Sequence, residues 1–328
     1  MAHGPSAIAR ALEVPVTLFG SRKPDGVLPS NVRWVELPLD YVEGVSEPGL
    51  RQPALRPCRA YAASTSASAT LAQWFEQHWP CLLVVDVSVE VALLARLCSV
   101  PTIYLRQHGE RSDSAHRLAY DTAQGLLAPY PQAMAAAGDP WAGKTFHSGW
   151  LSRYNGRVVR EAEPGTVLLI SGHGGSGLSA GYARAVARQC PAWQVRVAGP
   201  TSMGEGSANL QWLGVLADPA DEMQRAEIVV GSASDSLVSE AAALGCRYVA
   251  VGEQRPFDEQ SDQARRLDAW GAALGLEEGW PAAERWPALL EQARALDGLA
   301  WQQGAPPEAA RRAARWLQAQ LAQVQPPS

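Results

Sequence analysis

Short apolar runs recur along the chain, most of them closed by a glycine or a polar turn: 14–19, 33–38, 81–85, 102–105, 126–128, 166–170, 194–198 and 228–230. Runs this brief and this rich in Val, Leu and Ile suit strands of a parallel sheet buried on both faces. Helix-period stretches at 7–12, 60–77, 178–188 and 306–323 alternate with them, which predicts an α/β fold. Residues 143–165 break the alternation, because Gly, Ser, Asn and charged residues there show little periodicity; a domain boundary is expected near Gly156. The expected units are 1–155, 156–305 and a closing tail, 306–328.

The stretch 226–260 is the most informative. Ile228, Val229 and Val230 form a strand that ends at Gly231, and the turn Ser232-Ala233-Ser234-Asp235-Ser236 offers hydroxyl and carboxylate caps to a helix beginning near Leu237. Free N–H groups at such a helix start attract anions, phosphate among them. Leu237, Ala241 and Leu244 mark the buried stripe of that helix, and Glu240 lies on the same stripe. A buried carboxylate needs a donor, since an unmatched polar group costs about 1–3 kcal/mol. The donor is either a ligand hydroxyl or an arginine such as Arg247, Arg255 or Arg265.

The strand 166–170 runs into Ser171-Gly172-His173-Gly174-Gly175-Ser176-Gly177. Gly172, Gly174 and Gly177 match G-x-G-x-x-G, but the next strand ends in Gly199-Pro200, where a dinucleotide site would carry an acid. NAD is therefore disfavoured; glycine amides facing an anion, or a bare strand-to-helix turn, remain.

In the first half, ligands are expected outside the carboxyl ends of the strands. Asp86 sits at one such end, and Arg106, Gln107, His108, Glu110 and Arg111 crowd another. Asp86 and His108 are candidate general bases, and His3 is a third. The plainer alternatives are that Asp86 caps the next helix and that Arg106 and Arg111 pair with nearby acids. The Pro- and Gly-rich loop 39–57 is long enough to be functional.

Composition narrows the classes. The 328 residues allow about two domains, and a net charge of -5 without basic runs argues against nucleic acid as a partner. Five scattered cysteines without C-x-x-C spacing suit a reducing cytoplasm and give no zinc site. The apolar runs are far shorter than the roughly 20 residues of a membrane span, although peripheral membrane contact stays open. The first residues do not read as a secretory leader, so a cytoplasmic location is expected.

From 167 to 177 and from 226 to 260 the chain resembles the GT-B glycosyltransferases of the MurG type, which carry the family 28 C-terminal domain. The resemblance lies in the Gly-Gly-Ser loop, the helix with Ser239-Glu240-Ala241-Ala242-Ala243-Leu244-Gly245, and Pro256-x-x-x-Gln260. It implies a GT-B fold, in which two Rossmann-like domains face each other across a cleft, and transfer of a sugar from a nucleotide-sugar donor, a UDP-sugar foremost, to an unknown acceptor. In that reading Gly172, Gly174, Gly175 and Ser176, with Ser234 and Ser236, hold the diphosphate. Glu240 accepts from the ribose hydroxyls, Glu259 and Gln260 touch the sugar, and Val215 lies near the uracil. No cofactor and no metal held by Asp-x-Asp are implied, and a terminal helix often crosses back to the first domain. His3-Gly4 resembles the end of the family's first glycine loop, while the strand that precedes that loop has no counterpart in this sequence. Two rivals share the scaffold: a nucleotide-sugar hydrolase or epimerase, and a non-catalytic binding or partner subunit.

Overall fold

The computed structural model describes residues 3–24, 26–38, 61–172, 176–201, 204–298 and 300–324. The first half contains α1 (His3–Ala11), β1 (Val16–Gly20), β2 (Val32–Glu36), α2 (Tyr61–Gln77), β3 (Leu83–Val85), α3 (Val89–Leu97), β4 (Thr102–Leu105), α4 (Ser114–Thr122), β5 (Gly125–Ala128) and β6 (Thr145–His147). The second half contains β7 (Glu163–Ile170), α5 (Ala180–Gln189), β8 (Gln194–Ala198), β9 (Leu210–Gly214), α6 (Ala220–Arg225), β10 (Ala226–Ser232) and α7 (Asp235–Leu244). It continues through β11 (Tyr248–Val251), α8 (Glu259–Trp270), β12 (Leu274–Leu276), α9 (Trp286–Arg294) and α10 (Ala309–Leu321).

Among the described residues all strands pair in parallel, within three sheets. The second half has one six-stranded sheet in the order β12-β11-β10-β7-β8-β9, with fully buried strand centres such as Val167, Leu168, Val229 and Val249. Counted from β7, this is the doubly wound order in which the winding reverses between the first and fourth strands, here β7 and β10. Among the described residues of the first half, β3-β4-β5-β6 form one sheet and β1-β2 a separate pair. Every residue of β1 is only half-buried, unlike β4 and β5, which are buried throughout.

Helix α10 packs on the first half. Ala309, Ala313 and Leu317 join Ile8, Ile103, Leu105, Leu127 and Leu151 in one core cluster, and Trp316 stacks on Phe146 at 5.1 Å. The connector behind β6 carries Trp150 into the second half's core, where it is 2 % exposed and meets Trp301 and Trp270 at 5.5 Å each. No helix among the described residues is long and apolar enough to cross a membrane.

Three local readings need correction. The connector segment holds β6, whose three residues are too few for a visible period. An edge strand, β9, absent from the expected runs, ends at Gly214, just before Val215. Helix α7 has no solvent face: every residue from Leu237 to Leu244 is buried, so Glu240 does not sit on a stripe but inside a helix enclosed on all sides.

Candidate functional site

The winding reversal fixes where a ligand can enter. Ile170 of β7 lies opposite Gly231 of β10, so the chain leaves these neighbouring strands into the glycine loop and into the start of α7 respectively. The two segments picked out from sequence thus stand side by side at the carboxyl edge of the sheet, at the topological switch point.

Helix α7 starts at Asp235, earlier than expected, with Ser234 at the N-cap in extended conformation and no side chain capping it. The Ser234 hydroxyl accepts from Ser232 at 3.1 Å instead, and the Ser236 carbonyl accepts from Ser239. The first-turn N–H groups are therefore left to solvent or ligand. Burial raises the Asp235 carboxyl above its usual range, against the opposing effects of Gln263 and Arg111.

Glu240 is 4 % exposed and accepts from Arg153 Nε at 3.0 Å. Burial raises its carboxyl, and Arg153 lowers it. This donor is not one of the three arginines named from sequence. Arg247 bonds the Leu296 carbonyl, Arg255 the Glu253 carboxylate and Arg265 Asp262. Arg153 comes from the connector, and its side chain is 40 % exposed.

On the other side of the switch point, Glu253 organises what remains of the site, and nothing in the sequence drew attention to it. Its Oε1 accepts from Ser176 Oγ at 2.6 Å, Gly177 N–H at 2.9 Å and Trp280 Nε1 at 2.8 Å, while Oε2 accepts from Arg255 at 3.1 Å. Its own N–H donates to Gln260 Oε1 at 3.2 Å, so one buried residue ties the glycine loop to the expected sugar contact. Gly177 must be glycine, because a Cβ would lie 2.7 Å from the Trp280 ring. An open cavity of about 350 Å³ lies between these residues. Gly172 is exposed, whereas Gly174 and Gly175 lie outside the described residues. Val215 follows β9 and is 59 % exposed.

The first half meets this site along a seam. Asp86 ends β3, and it does not cap α3; Ser88 does, accepting from Val91 N–H. The Asp86 side chain reaches the surface but is crowded by protein, and burial together with Asp235 pushes it up to about 6. Arg106 and Arg111 do pair with acids, Asp139 at 2.9 Å and Glu259 at 2.7 Å, so the expected sugar residue is held from the opposite half. Burial first, then Asp235, pushes Glu259 up to about 7 despite Arg111. His108 is only 3 % exposed, its ring lies tilted against Tyr130 at 4.2 Å, and burial and Arg266 push it down to about 3. A ring so enclosed cannot meet a substrate hydroxyl in this arrangement. His3 opens α1, but its side chain lies outside the described residues, as does the loop 39–57.

With this geometry the chain has the GT-B fold, two parallel-sheet α/β halves meeting at the carboxyl ends of their strands. It is similar to MurG of Acinetobacter baumannii, at 16 % identity over 96 % of this chain and 95 % of that one, with a TM-score of 0.65. The kitacinnamycin glycosyltransferase gives 14 % identity, 97 % and 95 % coverage and a TM-score of 0.70. The spinosyn forosaminyltransferase SpnP gives 14 %, 98 % and 96 %, and 0.69. No protein-family model matches the chain, and no curated protein matches it in sequence.

Proposed function

We propose that the chain is a glycosyltransferase that takes a sugar from a nucleotide-sugar donor, a UDP-sugar foremost, and passes it to a hydroxyl-bearing acceptor held by the first half. The diphosphate lies between the loop from Gly172 to Ser176 and the start of α7 at Ser234 and Ser236. Glu240 accepts from the ribose hydroxyls, Val215 borders the base, and Glu259 and Gln260 contact the sugar. The acceptor oxygen attacks the anomeric carbon, the bond to the diphosphate breaks, and a carboxylate takes the hydroxyl proton. Asp86, pushed up to about 6, is the remaining described candidate for that base, because a base titrating near neutrality combines availability with proton affinity. Backbone donors and the α7 dipole, rather than a bound metal, offset charge on the leaving diphosphate.

The observation that carries this reading is the juxtaposition of the glycine loop and the uncapped α7 at the switch point, with Glu240 buried in the same helix. A carboxylate has about four acceptor positions, so Glu240 can keep Arg153 and still accept from a ribose. Among similar structures, the spinosyn rhamnosyltransferase SpnG, at 15 % identity and TM-score 0.51, is complexed with thymidine diphosphate. Phytolacca americana UGT2, at 13 % and 0.62, is complexed with UDP-2fluoro-glucose. The test is a thermal-shift panel of UDP-, TDP-, GDP- and ADP-sugars. A donor at a hundredfold excess over its Kd adds about 2.7 kcal/mol of stability, and no shift with any of them rejects the reading. Rapid release of free sugar without acceptor, or formation of its epimer, would favour the hydrolase or epimerase.

The Arg153–Glu240 ion pair favours a second reading, a subunit in which Glu240 is structural and no donor binds. Arg153→Ala separates the two. A donor site keeps or gains nucleotide affinity when the competing cation is removed, whereas a structural pair only loses stability.

A further inference from the structure

We propose that the loop 106–111 is a latch by which the first half sets the sugar contact of the second, with Arg111 the positioning residue for Glu259. The role of Glu259 rests on the donor assignment above; the latch itself stands on contacts alone. Arg111 Nη2 donates to Glu259 Oε2 at 2.7 Å, and its guanidinium lies over the Phe257 ring at 4.5 Å. Beside it, Glu110 N–H donates to the Phe257 carbonyl at 2.8 Å and Gly109 N–H to Asp262 Oδ2 at 2.9 Å. One short loop thus fastens both ends of the turn 257–262 across the seam.

The turn it fastens is strained. Phe257 and Asp258 have φ of 63° and 52°, a region that costs a non-glycine residue about 1–3 kcal/mol unless its surroundings hold it there. Arg111 on one face of Phe257 and the edge of His116 at 4.9 Å are those surroundings. Gly109 shows that the approach is built in: its φ is +94°, and a Cβ would stand 2.3 Å from the Phe257 carbonyl oxygen and 2.9 Å from Glu259 Cα. Any side chain there forces the halves apart. Arg111 also keeps Nε and Nη1 without a hydrogen-bond partner, in a side chain only 5 % exposed. The Glu259 carboxylate is thus held through a single nitrogen of a guanidinium with two further donors beside it.

It follows that UDP alone, held by the second half, does not need the latch, whereas the sugar does. The experiment uses the full chain and its variants Arg111→Gln, Arg111→Lys and Gly109→Ala. Each is titrated with UDP and UDP-glucose, and amide hydrogen exchange at Gly109 and Glu110 is followed without ligand. Both amides should be protected in the wild type and exchange faster in Arg111→Gln and Gly109→Ala. UDP affinity should stay within about twofold, while the preference for UDP-glucose over UDP falls about tenfold, or roughly 1.4 kcal/mol. Lysine, with a charge but no fork, should recover only part of it. Unprotected amides in the wild type overturn the latch. A wild-type preference retained in both Arg111→Gln and Gly109→Ala overturns the positioning role. Failure of the wild type to bind either ligand sinks the donor assignment instead, and the exchange result still decides the latch.

Discussion

The second half is one continuous six-stranded sheet, whereas the described strands of the first fall into a sheet of four and a separate pair. The contrast extends to the site. In the second half, Glu253 joins Ser176, Gly177, Trp280 and Gln260 through bonds that never leave that half. Asp86 and Arg111 of the first half reach the same region only across the seam. On the function proposed above, the second half holds the donor by itself, and the first completes the site by docking.

The comparison can be broken most forcefully at Trp150, the first half's anchor in the second half's core. Trp150→Ala should cost about 3–5 kcal/mol in urea unfolding. A loss near zero would mean that the halves are joined elsewhere. Glu253→Gln tests whether the second half organises its own site: with one good acceptor replaced by an amide facing Arg255, stability should fall by about 1.5–3 kcal/mol, the range for hydrogen bonds to a charged group. Binding that survives unchanged would show the glycine loop to be held by other means.

Smaller effects sharpen the picture. Arg153→Ala leaves Glu240 buried without this donor, but water can approach through the exposed arginine position. The loss should be about 1 kcal/mol, that of one hydrogen bond. The seam should also respond to pH. Because the Glu259 carboxyl is raised from the usual 4.5 to about 7 in the folded protein, its contribution is fully present below pH 4.5 and is lost as pH rises through about 7. The melting temperature should decline over that window, and Glu259→Gln should flatten the decline; an unchanged profile in the variant would place the titration elsewhere.

Much of the fold was legible because buried parallel strands are apolar on both faces: 102–105 and 194–198 coincide with β4 and β8. The strands β6 and β9 escaped, one for having three residues and the other because an edge strand need not be apolar throughout. In the site, turn chemistry and glycine spacing located the switch-point loops, but partners remote in sequence were invisible. Arg153 lies 87 residues from Glu240 and Arg111 lies 148 from Glu259, separations over which no periodicity carries information. Glu253 looked like any loop acid, and only its ring of donors distinguishes it. For His108 the sequence hid burial instead, since a histidine in a polar cluster reads as accessible.

Calorimetric titration of UDP and UDP-sugars into the wild type and Glu240→Ala tests the central claim most directly. If Glu240 receives the ribose hydroxyls, the variant should bind about ten- to a hundredfold more weakly, matching the loss of a charged hydrogen bond. Equal affinity in the two proteins, or no binding by the wild type, would contradict the account.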